Sequence, residues 1–76
     1  MKKNRFVLNR AIHSPEGCEL TEIPFKTYRD AVKARKKWFE DVKFMLETAG
    51  IEYEVDEDRY EIFAGEDSWD AWIEIL

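Results

Sequence analysis

The segment 54-EVDEDRYEIF-63 carries five carboxylates in ten residues, yet Val55, Tyr60, Ile62 and Phe63 give it the apolar rhythm of a hairpin. Its acidity is either a surface built for a partner or only the solvated face of a small sheet, whose charges keep the protein soluble and discourage edge pairing; read with period two it is a β-hairpin with one apolar and one acidic side. The period-two reading holds because the alternation continues beyond the segment in both directions. A tip at Glu57-Asp58 sets Val55 against Tyr60, Tyr53 against Ile62 and Ile51 against Ala64, all on one face. A further turn over 65-GEDS-68 sets Ala64 against Trp69, Ile62 against Ala71 and Tyr60 against Ile73. The expectation is a meander of three strands at 51–56, 59–64 and 69–76.

Upstream the period changes to that of a helix. Tyr28, Ala31, Val32, Arg35, Trp38, Phe39, Val42, Met45, Leu46 and Ala49 recur at three- and four-residue steps. Thr27 followed by Asp30 is a capping-box-like start, and Gly50 supplies the left-handed stop, so the spacing predicts one long helix over 28–49. Ahead of it, 14-SPEG-17 is a turn between strands near 5–13 and 18–25. Opposing His13 to Cys18 brings Phe6 against Phe25 and Leu8 against Ile23. The order strand, strand, helix, strand, strand, strand defines an α+β fold over residues 1–76: a single domain with an antiparallel sheet and one long helix packed on one face. That ββαβββ order, with the tetrapeptide 62-IFAG-65, resembles the ubiquitin-type β-grasp. The predicted helix is much longer than that family's and no diglycine tail is present, so no conjugation activity is carried over.

At 76 residues the chain sits where one core just outweighs chain entropy, with roughly 60% of the unfolded surface buried. Aromatic residues make up 14%, and each can bury on the order of 150–250 Å², which is how so short a chain reaches an adequate core. The lone cysteine, Cys18, cannot form an internal disulfide, and that points to the cytoplasm. The start MKKNRFVLNRA has the basic run of a signal peptide, but Asn9 and Arg10 interrupt its apolar part, and no run approaches the ~20 apolar residues of a membrane helix.

Chemistry finds little purchase. His13 is the only imidazole; Ser14 and Cys18 lie near it without an orienting carboxylate or an oxyanion donor cluster. One His and one Cys make no zinc set, 56-DED-58 lacks the rest of an EF-hand loop, and three isolated glycines cannot cradle a phosphate. The expectation is a protein that is not an enzyme and carries no cofactor or metal.

Charge is more informative. The net charge is −5, and residues 50–76 hold ten acids against the single base Arg59. In the register above, the outward side of the meander has rows Glu52-Phe63-Asp70, Glu54-Glu61-Trp72 and Asp56-Arg59-Glu74. Phe63 and Trp72 lie diagonally on it and have no core to enter if the helix covers the other side, and large aromatics in a charged rim have the character of a binding hot spot. Alternate carboxylates on a strand are roughly 6–7 Å apart, near the spacing of successive backbone phosphates. Phe44 falls on the outward side of the helix and is a candidate second contact point. Arg35, centred on the apolar stripe, should pack its stem and send its head to Glu19 or water at the core's edge.

These features make Glu52, Glu54, Glu61, Phe63, Asp70, Trp72, Glu74 and Phe44 the candidate partner-binding residues. The partner they fit is a protein with a basic surface, such as one that handles nucleic acid, with this chain as an inhibitor that imitates nucleic acid in the manner of phage- or plasmid-encoded mimics. The alternative is a structural or regulatory homodimer joined through the outer sheet face, with Val7, Ala11, Leu20, Phe63, Trp72 and Leu76 buried. Arg29, Lys33, Lys36 and Lys37 form a basic helical patch, but the acidic field of the C-terminal third opposes direct binding of DNA or RNA.

Overall fold

The computed structural model describes residues 5–76. Its elements run β1 (Phe6–Ser14), β2 (Gly17–Phe25), α1 (Tyr28–Thr48), β3 (Glu54–Asp56), β4 (Glu61–Ala64) and β5 (Asp67–Ile75), which is the expected ββαβββ order. The five strands form one antiparallel sheet in the order β2-β1-β5-β4-β3. The N-terminal hairpin therefore joins the C-terminal meander through a long β1–β5 ladder from Phe6↔Ile75 to His13↔Ser68.

The first hairpin has the expected register, including His13↔Cys18, Leu8↔Ile23 and Phe6↔Phe25. The meander differs by two residues at both turns. Val55 pairs with Ile62 instead of Tyr60, and Ile62 pairs with Trp69 instead of Ala71. At the first turn the chain takes four residues, 57–60, instead of two: the Asp56 carboxylate accepts from the Arg59 backbone N–H at 3.3 Å, and Tyr60 adopts a left-handed φ of 54°. At the second, Gly65 at φ 61° permits a tight two-residue turn with Glu66, whose twist suits a hairpin better than the four-residue loop expected from 65-GEDS-68. A slip of two is even, so every side chain keeps its face while its cross-strand partners change. Residues 51–53 and 59–60, expected in strands, lie outside the ladders, and β5 begins at Asp67.

The helix ends as its sequence dictates. Thr27 Oγ1 accepts from the Asp30 N–H at 3.1 Å, and Gly50, at φ 72°, closes the C-terminus with Gly50 N→Glu47 O and Ile51 N→Leu46 O bonds. Phe39, Val42 and Leu46 pack on Ile62, Ala64 and Trp69, with Ile12, Trp38, Tyr53, Val55 and Tyr60 around them. Met45, expected on this stripe, is half exposed. Arg35 does not pair with Glu19: it is half-buried, with its guanidinium 4.0 Å from the Tyr60 ring centroid in a cation–π contact. Arg10 does the same over Trp38, at 5.5 Å.

Tyr53 ties the segment after the helix back to its last turn, donating its phenol hydrogen bond to Glu47. The bond to a carboxylate, with lesser contributions from burial and from the charges of Glu47, Glu40 and Glu57, raises the phenol pKa. A raised folded pKa means the contribution to stability is fully present below the ordinary phenol value of about 10 and is lost as pH rises through the higher folded value. Absorbance titration should show a tyrosine phase above the ordinary phenol value, and Tyr53→Phe should remove that late phase. A late phase that survives the substitution would assign it elsewhere.

Candidate functional site

Sheet alternation sends Phe6, Leu8, Arg10 and Ile12 of β1 toward the helix and Val7, Asn9, Ala11 and His13 away from it. Following the ladders, the uncovered face carries Cys18, Leu20, Glu22 and Pro24 on β2, Ser68, Asp70, Trp72 and Glu74 on β5, Glu61 and Phe63 on β4, and Glu54 and Asp56 on β3. Among the described residues no Lys or Arg projects from the five strands on this side. Arg59, expected between Asp56 and Glu74, sits in the 57–60 turn instead.

The two-residue slip redraws the rows. Glu54, Phe63 and Ser68 form one; Asp56, Glu61, Asp70, Ala11 and Leu20 form the next; Trp72, Asn9 and Glu22 form the third. Glu54 no longer opposes Glu61, and Phe63 no longer opposes Asp70. Phe63 and Trp72 are also not diagonal neighbours: Ser68, which faces Phe63, and Trp72 are four residue steps apart on β5, a rise of about 13 Å. They lie instead on either side of the carboxylate row, Phe63 at 45% and Trp72 at 41% exposure.

Of the remaining candidates, Glu52 lies just outside the ladder but lines an open groove with Ile51, Tyr53, Glu54, Phe63 and Gly65, so it stays beside the aromatic end of the face. Glu74 is tethered, its carboxylate accepting from Asn9 Nδ2 at 3.0 Å. Phe44 is strongly exposed at 70%, but on the helix, across the molecule from the acidic sheet face, so it is not part of that surface. The basic residues Arg29, Lys33, Lys36 and Lys37 also lie exposed on the helix, but so do Asp30, Glu40, Asp41 and Glu47, so the basic patch is confined to the first half of α1.

Two residues outside the expected set shape the face. Asn9 is only 1% exposed although it points to the uncovered side, flanked across the ladders by Glu22 and Trp72. An asparagine interrupting an apolar strand is the signal that could have marked it, once the strand was known to be central. His13 Nε2 lies 3.5 Å from Asp70 Oδ1, one strand over. Only the β1–β5 ladder brings them together.

Asp56, Glu61 and Asp70 stand side by side on three adjacent strands, and directly opposed like charges destabilise a sheet. Glu61, between two carboxylates, bears most of this repulsion. Glu61→Gln is expected to raise the unfolding free energy by about 0.2–1 kcal/mol, with a larger gain at low ionic strength. Urea denaturation at two salt concentrations measures it; a loss of stability in the variant would mean that Glu61 makes a favourable contact.

No protein-family model matches this chain, and no curated protein or solved structure matches it either. What fold and face define together is a small α+β protein with one helix-covered and one acidic, aromatic-bearing sheet surface. The likeness to the β-grasp goes no further than element order and one tetrapeptide. Among the described residues no cluster of His, Cys, Asp and Glu is arranged to hold a metal ion, and no helix is long and apolar enough to cross a membrane.

Proposed function

We propose that this chain is a non-enzymatic protein-binding module whose acidic sheet face occupies a basic surface on a partner protein. One observation carries the reading: six carboxylates, Glu22, Glu54, Asp56, Glu61, Asp70 and Glu74, share a face with exposed Phe63 and Trp72 and with no Lys or Arg among the described residues of its strands. Placing acids side by side costs stability, and a cationic partner would relieve that cost while the rings supply desolvated area. Surfaces that ordinarily meet phosphates have the complementary charge, so the chain would act as an inhibitor by imitating nucleic acid. The exposed free thiol of Cys18 fits a cytoplasmic setting.

Face-to-face packing of two copies is the weaker reading. It would press the carboxylates of one copy against those of the other, and Ala11, one of its contact residues, is already 97% buried within the chain (3% exposed). The test is capture of proteins from the source organism's lysate on the immobilised chain at about 0.1 M and about 0.5 M salt, since screening weakens such an attraction. Retention of a nucleic-acid-binding protein at low salt, release at high salt, and loss in the Glu61→Gln/Trp72→Ala variant support the proposal. Equal retention by the variant overturns it.

A further inference from the structure

The two edges of the sheet are treated differently. At one end β3 is three residues long, carries Glu54 and Asp56, and runs into the acidic 57–60 turn, all devices that discourage pairing with another strand. At the other end β2 runs nine residues in unbroken register with β1, is exposed from Gly17 to Glu22, and, although it carries Glu19, Glu22 and Pro24, has no bulge, no lysine and, among the described residues, no covering element along its free side. The hydrogen-bond phase shows what that side offers. Ala71 N donates to Tyr60 O and Leu76 N to Arg5 O, so odd residues of β5 bond to β4 and even ones to β1; those even residues face odd residues of β1, whose even residues therefore bond to β2. Odd residues of β2 therefore bond inward, and Cys18, Leu20 and Glu22 present both N–H and C=O to solvent.

We infer that the free edge of β2 pairs antiparallel with the same edge of a second copy, about a two-fold axis at Leu20. This register sets Leu20 against the partner's Leu20, Cys18 against the partner's Glu22, and Glu19 against the partner's Thr21, so no carboxylate faces another. An axis at Glu19 or at Glu22 would oppose two glutamates, and one at Thr21 would set Leu20 against the partner's Glu22. Pro24, with no N–H to give, falls at the end of the ladder, where its loss costs least. Leu20, 54% exposed in the single chain, gains an apolar neighbour. The axis is perpendicular to the sheet, so the two five-stranded sheets become continuous and both acidic faces point the same way. The pairing does not depend on what those faces bind.

Sedimentation equilibrium from about 10 µM to about 500 µM should show a monomer–dimer equilibrium set by mass action. Leu20→Lys, which puts two ammonium groups together at the axis, should raise the dissociation constant about tenfold or more. Leu20→Cys in a Cys18→Ser background should give a disulfide-linked dimer on mild oxidation, whereas Lys33→Cys in the same background, on the helix, should not. Far-UV circular dichroism confirms that each variant is folded. A monomer throughout the range with no cross-link overturns the inference, as does a dimer that Leu20→Lys leaves intact. Binding of an extended peptide from another protein by a chain that stays monomeric would also overturn it, assigning the edge to a different partner.

Discussion

Phe39→Ala is expected to lower the unfolding free energy by about 3–5 kcal/mol. Phe39 is 2% exposed, sits in the cluster joining α1 to β4 and β5, and meets Tyr60 edge-on with ring centroids 5.0 Å apart. Its removal loses the transfer energy of the ring, leaves a cavity and removes the edge-on contact with Tyr60. At roughly 0.05–0.15 kcal/mol per residue, a chain of this length has on the order of 4–11 kcal/mol in total. The variant should lose most of its cooperative urea transition. Phe44→Ala, five residues along the same helix but at a 70% exposed position, should fall within about 0.5 kcal/mol of the parent. Similar effects at the two positions would show that the helix packs with a different side inward.

Trp72→Ala is expected to weaken partner binding by about 2 kcal/mol or more, roughly 30-fold, in a variant that is less stable but still folded. The indole is 41% exposed on the uncovered face, beside the row of Asp56, Glu61 and Asp70. The exposed part of the ring adds a desolvated area once a partner excludes water. Phe63→Ala should act in the same direction from the other side of that row, and the carboxylate substitutions should act chiefly on the association rate and its salt dependence. Titration of captured partner against wild type and variant, by calorimetry or fluorescence, gives the ratio. Undiminished affinity in both aromatic variants would remove this face from the interaction.

The proposed edge pairing changes how such data are read. In a dimer the two faces lie on one side of a continuous sheet, so a partner with two basic sites gains from the second contact without any new chemistry. Comparing Leu20→Lys with Trp72→Ala separates the effects: the first alters oligomeric state and the second alters contact.

Much of this architecture is legible in local chemistry. Thr27, Asp30 and Gly50 mark both helix ends because caps satisfy backbone groups within a few residues of themselves. The Pro15-Glu16 turn sets the first hairpin's register for the same reason. The acidic turn is set by a less local contest. Glu57-Asp58 looks like a two-residue tip, but the Asp56 side chain competes for the backbone and lengthens the turn to four, and Gly65 shortens the next one. Which acids become neighbours therefore shifted by one step of the pleat, while their side of the sheet did not. The contact of Arg35 with Tyr60 is not legible locally, because the aromatic face comes from a turn twenty-five residues away.

The sequence alone determined the kind of each element, its approximate extent, and which side chains turn toward the helix, since periods of 3.6 and 2 are properties of neighbouring residues. Only the tertiary structure decided that β1 lies against β5. That pairing joins residues more than fifty positions apart, and it buries Asn9, brings His13 to Asp70 and leaves β2 and β3 as the edges. Nothing within either strand encodes its partner, because antiparallel strands of similar apolar pattern pair about equally well. The choice is made by how the whole sheet covers one helix.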